Sequence, residues 1–96
     1  KHALNSFLAT EIAFINEIAI ICERTGADIR DVERGLKSDP RIGEKGFLKS
    51  GSAYSGGTLA RDVQYLHKLS DDLNLKSSLI RSINKSNNNH KKLLEK

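Results

Sequence analysis

Methionine and tryptophan are absent from the chain, cysteine and proline occur once each, and phenylalanine and tyrosine together number five. A single cysteine, Cys22, excludes an intrachain disulfide, and a lone thiol fits a reducing, cytoplasmic setting. No long hydrophobic run is present. The longest unbroken one goes from Ile18 to Cys22, because Glu11, Asn16 and Glu17 interrupt the apolar segment, whereas a bilayer span needs about 20 residues. No membrane segment is therefore expected, and no charged n-region followed by an apolar core and cleavage site marks a leader. The chain starts at Lys1 with a helical pattern already running by Ala3, so it is expected to be a piece of a longer protein. Aromatic side chains for base stacking are few, and the lysines and arginines behind the net charge of +4 are scattered, which speaks against a nucleic-acid partner. His2, His67 and His90 have no partners at metal-ligand spacing, so no metal site is expected and the three read as surface histidines. Cys22 lies in an apolar stretch that disfavours a thiolate, so its role reads as packing.

What is present is an ordinary globular composition, 38% hydrophobic and 29% charged over 96 residues, enough for one folded domain covering 1–96. Ala3, Leu4, Phe7, Leu8, Ile12, Ile15, Ile18 and Ala19 recur at three- and four-residue steps and predict a long helix that runs to Thr25 and stops at Gly26. In its second half Ala13, Phe14, Ile20, Ile21 and Cys22 put apolar groups on the other faces too, and a helix apolar all round must be buried all round. A small domain cannot surround it alone. A second copy related by a two-fold axis is the expected cover.

Asp28 is placed to cap a second helix carrying Ile29, Val32 and Leu36, with Asp31 in its first turn and its end near Gly35. Ser38-Asp39-Pro40 breaks the helical pattern, and the segment from Pro40 to Gly57 holds five of the seven glycines, which reads as a long structured loop. A third helix is predicted from Thr58 or Leu59 through Leu73, and a fourth from Ser77 towards Leu94, weakened by Asn87-Asn88-Asn89. No stretch alternates at period two, so the fold class is all-α: a small bundle on one long buried helix, with a glycine-rich loop between helices 2 and 3.

The segment from Gly51 to Thr58 comes one residue short of a phosphate-binding G-x-x-x-x-G-K-[ST] loop, with glycine in place of the lysine. Without that lysine, and without a strand to aim the loop, it does not qualify. No nucleophile, base and carboxylate set can be assembled from spacing alone.

Several short motifs do occur in a specific order. They are Lys1-x-x-x-Asn5-Ser6-Phe7-Leu8-Ala9-Thr10, Asn16-Glu17, Thr25-Gly26-Ala27-Asp28, Asp39-Pro40-Arg41-Ile42-Gly43 and Phe47-Leu48-Lys49. Ala53-Tyr54-Ser55-Gly56-Gly57-Thr58-Leu59-Ala60-Arg61-Asp62 follows, an altered form of G-[FY]-G-G-x-C-x-P-K-D. Each is weak alone; together they resemble the central dimerisation domain of the UDP-glucose/GDP-mannose dehydrogenases, over most of the chain. The resemblance implies a homodimer through the first helix and a parent enzyme that oxidises the C6 alcohol of a nucleotide sugar to a carboxylate with NAD. NAD would be held mainly by a flanking domain, and no metal would be needed. Residue by residue, it puts Thr58 at the position of the catalytic cysteine and Asp62 at that of the catalytic aspartate. Lys1 and Asn5 fall on the lysine and asparagine that stabilise an oxyanion and orient water. Arg41 corresponds to the arginine that reaches the partner's substrate, Phe47, Leu48, Lys49 and Gly56 to sugar-lining residues, and Arg61 to a lysine on the cofactor side. Ser55 and Ala60 depart from the family's glycine and proline. Threonine in place of cysteine predicts that the second oxidation fails, and a non-catalytic assembly or nucleotide-sugar-sensing role is the alternative.

Overall fold

The computed structural model describes residues 1–43, 45–46, 50–54 and 57–95. They form four α-helices: α1 (His2–Thr25), α2 (Ile29–Ser38), α3 (Thr58–Asp72) and α4 (Ser78–Leu94). Among the described residues no strand is present, so the all-α expectation holds. α1 is the spine, packing on α3 and α4, and it is the one helix among those described that α2 meets.

The ends of the helices follow from local chemistry. Gly26 takes a left-handed conformation at φ 81°, and its N–H donates to the Cys22 carbonyl at 2.9 Å, closing α1 where the sequence placed its end. Asp28 caps α2, its carboxylate accepting from the Arg30 N–H at 2.9 Å. α2 runs on to Ser38 and does not end near Gly35. A glycine terminates a helix when it turns left-handed, and Gly35 is not among the positive-φ residues. The stop is set instead by Pro40, which drives the preceding Asp39 into extended backbone at ψ 124°. α4 passes through Asn87, Asn88 and Asn89 without a break.

Ala9, Tyr54, Val63 and Ile83 form the core, with Ile12, Leu59 and Ala60 packed against it. Small residues on α1, Ala9 and Ala13, let the neighbouring helices approach closely. By length and composition α1 also qualifies as a membrane span, which its interruption by acidic residues did not suggest. The side of it that meets α3 and α4 buries the polar side chains of Ser6 and Asn16. One side of α1 is left open by this chain: Leu4, Phe7, Phe14 and Ile21 are 62%, 64%, 51% and 56% exposed.

Candidate functional site

The first turns of α1 and α3 lie against each other. Asn5, one turn into α1, donates from its side-chain amide to an Asp62 carboxylate oxygen at 2.6 Å. Asp62 is 8% exposed, and its other oxygen lies 3.7 Å from His2 Nε2. The His2 ring in turn stacks on Tyr65 of α3, centroids 4.1 Å apart. Two residues that the sequence separates by more than half the chain, Asn5 and Asp62, therefore form one polar cluster. Thr58 stands one helical turn before Asp62, as the first residue of α3, and is exposed. Gly57 before it sits at φ 137° and ψ −147°, a conformation that side chains disfavour, so glycine is what brings the chain into α3 at this angle. Lys1 is exposed at the N-cap of α1, and its carbonyl accepts from the Asn5 N–H at 3.0 Å.

Arg41 is not part of that cluster in the single chain. Its guanidinium pairs with Asp39, Nη2 to Oδ2 at 2.7 Å, on an exposed turn. The pairing holds the Asp39 carboxyl below the ordinary range, chiefly through the side-chain hydrogen bond. Arg61 is exposed on α3 and has no ion pair among the described residues. Phe47, Leu48, Lys49 and Gly56 lie outside the described residues. No group of three His, Cys, Asp or Glu side chains gathers at metal-binding distance among the described residues.

The segment leading to Thr58 is fastened by side chains that sequence reasoning passed over. Asn87 of α4 accepts from the Tyr54 N–H at 2.9 Å and donates to the Tyr54 carbonyl at 2.7 Å. Asn84 accepts from the Tyr54 hydroxyl at 2.6 Å and donates to the Ala60 carbonyl at 3.2 Å. His90 Nε2 lies 2.6 Å from the Gly51 carbonyl. Opposite, Asn16 of α1 accepts from the Gly51 N–H at 2.9 Å, and Glu33 of α2 accepts from the Ser50 hydroxyl at 2.9 Å.

His90 is thus a buried residue and not a surface histidine, a correction with a clear cause. Packed against the 50–54 segment, its ring meets the Gly51 carbonyl, an acceptor that a buried imidazole N–H can satisfy. The available signal was the spacing of Asn84, Asn87 and His90, which recur every three residues along one side of α4. His2, too, is engaged, through Tyr65 and Asp62. Cys22 is buried, as its apolar surroundings implied.

Burial pushes the Tyr54 phenol up to about 12. The folded state therefore favours the neutral ring. Its stabilisation is complete below the unfolded-chain value of about 10 and disappears as pH rises through the folded value. Thermal unfolding midpoints are expected to fall between about pH 10 and 12, and to fall less steeply in a Tyr54→Phe variant. Parallel curves for the two proteins would show that Tyr54 takes no part.

Comparison with known proteins identifies the family. The chain is similar to UDP-glucose 6-dehydrogenase YwqF of Bacillus subtilis (strain 168), 44% identical over 94 residues, covering 98% of this chain and 21% of that protein. The UDP-glucose 6-dehydrogenase of Pseudomonas aeruginosa is 42% identical over 94 residues, covering 98% of this chain and 20% of that one. That of Rickettsia typhi is 42% identical over 87 residues, covering 91% and 20%. The chain thus spans about a fifth of the length of the curated relatives it matches. The family described as "UDP-glucose/GDP-mannose dehydrogenase family, central domain" matches residues 1–89. With that match covering nearly all of a helical chain that joins Asn5 to Asp62 beside Thr58, the protein belongs to the UDP-glucose/GDP-mannose dehydrogenase family.

Proposed function

We propose that this chain is the dimer-forming and substrate-contacting central domain of a cytoplasmic, NAD-dependent 6-dehydrogenase for a UDP-glucose-like nucleotide sugar. Thr58 occupies the nucleophile's position in that proposal. The observation that carries the reading is the 2.6 Å bond from Asn5 to Asp62, with Thr58 one turn away on α3. Only one amide N–H of Asn5 is used by Asp62, which leaves the other N–H and the carbonyl oxygen to hold a water or a substrate oxygen. Lys1 brings a positive charge to the same end of α1 and stabilises negative charge developing on the sugar oxygen. Asp62, largely withdrawn from solvent, is the carboxylate that takes up or returns a proton there.

NAD supplies the hydride acceptor in this proposal and is held mainly by a flanking domain, as dinucleotides are by a strand-and-helix fold that differs from the helices described here. Arg61, exposed and in no described ion pair, suits a phosphate group. In the same proposal Arg41 reaches the sugar site of the partner chain, and Phe47, Leu48, Lys49 and Gly56 line the sugar. The exposed Asp39 pair is a weak restraint on that movement of Arg41.

The dimer is supported by the open side of α1. Leu4, Phe7, Phe14, Ile18 and Ile21, with Glu11 between them, are spaced alternately three and four residues apart. That spacing gives an apolar stripe of the kind that pairs helix with helix, and four of its members are more than half exposed in the single chain. A second copy of α1 is the cover that such a stripe fits.

A threonine hydroxyl is far less acidic than a thiol, whose pKa is about 8.5, and it makes an ester in place of a thioester. The oxidation is therefore expected to stop at the aldehyde. The test is to supply the full-length protein with NAD and UDP-glucose and to count NADH formed per sugar consumed, alongside Thr58→Cys. One NADH in the natural protein and two in the variant are expected. Two in the natural protein would sink the inference from Thr58, and none in either would turn the reading to assembly or nucleotide-sugar sensing.

A further inference from the structure

Resting on the reading above, we infer that Asn87 of α4 is a positioning residue for the substrate site, acting through the main chain of Tyr54. Its amide closes a two-point contact, accepting from the Tyr54 N–H at 2.9 Å and donating to the Tyr54 carbonyl at 2.7 Å. This is the pairing a neighbouring β-strand would provide, supplied by one side chain. Asn87 and Tyr54 are both buried, so water cannot replace either bond, and leaving buried backbone groups unpaired is costly.

The contact does not act alone. Asn84, one turn earlier, holds the Tyr54 hydroxyl at 2.6 Å and the Ala60 carbonyl at 3.2 Å. It therefore ties the segment before Thr58 and the helix after it to one stripe of α4. His90, one turn later, meets the Gly51 carbonyl at 2.6 Å, while Asn16 of α1 holds the Gly51 N–H at 2.9 Å. With residues 51 and 54 fixed on one side and Ala60 on the other, the first turn of α3, and so Thr58, has its place set by α4. Most of these bonds go to backbone atoms, so the stripe reads the path of the segment and not its side chains. α4 touches neither Asn5 nor Asp62 in the described hydrogen bonds. Its effect on the site is thus indirect, through position.

The experiment uses the full-length protein with Asn87→Leu and Asn87→Asp, and Asn88→Ala as a control on the exposed side of α4. Three quantities are read: amide hydrogen exchange at Tyr54 against Val63 and Ile83, the dissociation constant for UDP-glucose by calorimetry, and the thermal midpoint. Asn87→Asp keeps the acceptor and loses the donor. The expected result is faster exchange at Tyr54 with Val63 and Ile83 still protected, and affinity for UDP-glucose about tenfold weaker in Asn87→Leu. Asn87→Asp is expected to fall between it and the control. Exchange that rises equally at all three amides, or a freed Tyr54 with unchanged affinity, would reduce Asn87 to a purely structural part and overturn the inference. If the natural protein itself binds no UDP-glucose, the dehydrogenase reading fails first and takes this inference with it. Binding that is intact in the natural protein and insensitive to Asn87 overturns the inference alone.

Discussion

Replacing Phe14 with aspartate is expected to turn the proposed dimer of the full-length protein into monomers at micromolar concentration while the helical content of each chain stays the same. Phe14 is 51% exposed in the single chain, so its own fold depends little on it. It lies mid-helix in the stripe of Leu4, Phe7, Ile18 and Ile21, where the proposed two-fold axis would present each side chain to the interface twice. Withdrawing a phenylalanine from water contributes ~1.5–3 kcal/mol. Only about half of Phe14 is left to bury at an interface, so losing it from both copies costs ~1.5–3 kcal/mol, and the dissociation constant rises about tenfold to a hundredfold from this term. The new carboxylates add desolvation in the same direction. Sedimentation equilibrium of the natural and Phe14→Asp proteins reads this directly. A variant that stays dimeric at micromolar concentration would remove α1 from the interface, and a natural protein that is already monomeric would remove the dimer.

The parts of this fold that could be read in the sequence are those fixed by neighbours along the chain. The apolar period of α1 and its glycine stop depend on residues within one or two turns of each other, and so does the Asp28 cap. Each appeared where expected. The end of α2 was misplaced because glycine and proline both stood as stop signals, and only Pro40 constrains the backbone there whatever the packing. The polar clamp on the 50–54 segment was hidden for a different reason. Asn87 looks unfavourable for a helix when only its own chain neighbours are considered. Its contribution lies in a contact 33 residues away, which no local pattern encodes. His90 was misjudged in the same way, since its partner is a main-chain carbonyl and any residue at position 51 offers one. Asn5 and Asp62 stood out only through resemblance to a family. The 2.6 Å contact between them is the structural counterpart of two motifs 57 residues apart in the chain.

That contact also allows stability and chemistry to be separated at Asp62. Asp62→Asn keeps the shape of the side chain and an oxygen able to accept from the Asn5 amide, but removes the negative charge and the capacity to hold a proton. Asp62→Ala removes the acceptor as well and leaves the Asn5 amide without its partner. A net hydrogen bond to a charged group contributes ~1.5–3 kcal/mol, so Asp62→Ala is expected to lose about that much in unfolding free energy by urea titration. Asp62→Asn is expected to lose about 1 kcal/mol or less, because a neutral acceptor replaces the charged one. Activity should divide the other way. If Asp62 moves a proton in NAD-dependent oxidation of the sugar, both variants are expected to lose about 10²- to 10⁴-fold in kcat, since neither carries a carboxylate. Equal kcat losses with unequal stabilities would assign the carboxylate to proton transfer and the hydrogen bond to folding. An Asp62→Asn protein that kept its kcat would make Asp62 a tie between α1 and α3 and would leave the proton to another group, with His2, 3.7 Å from the same carboxylate, the nearest titratable side chain in the cluster.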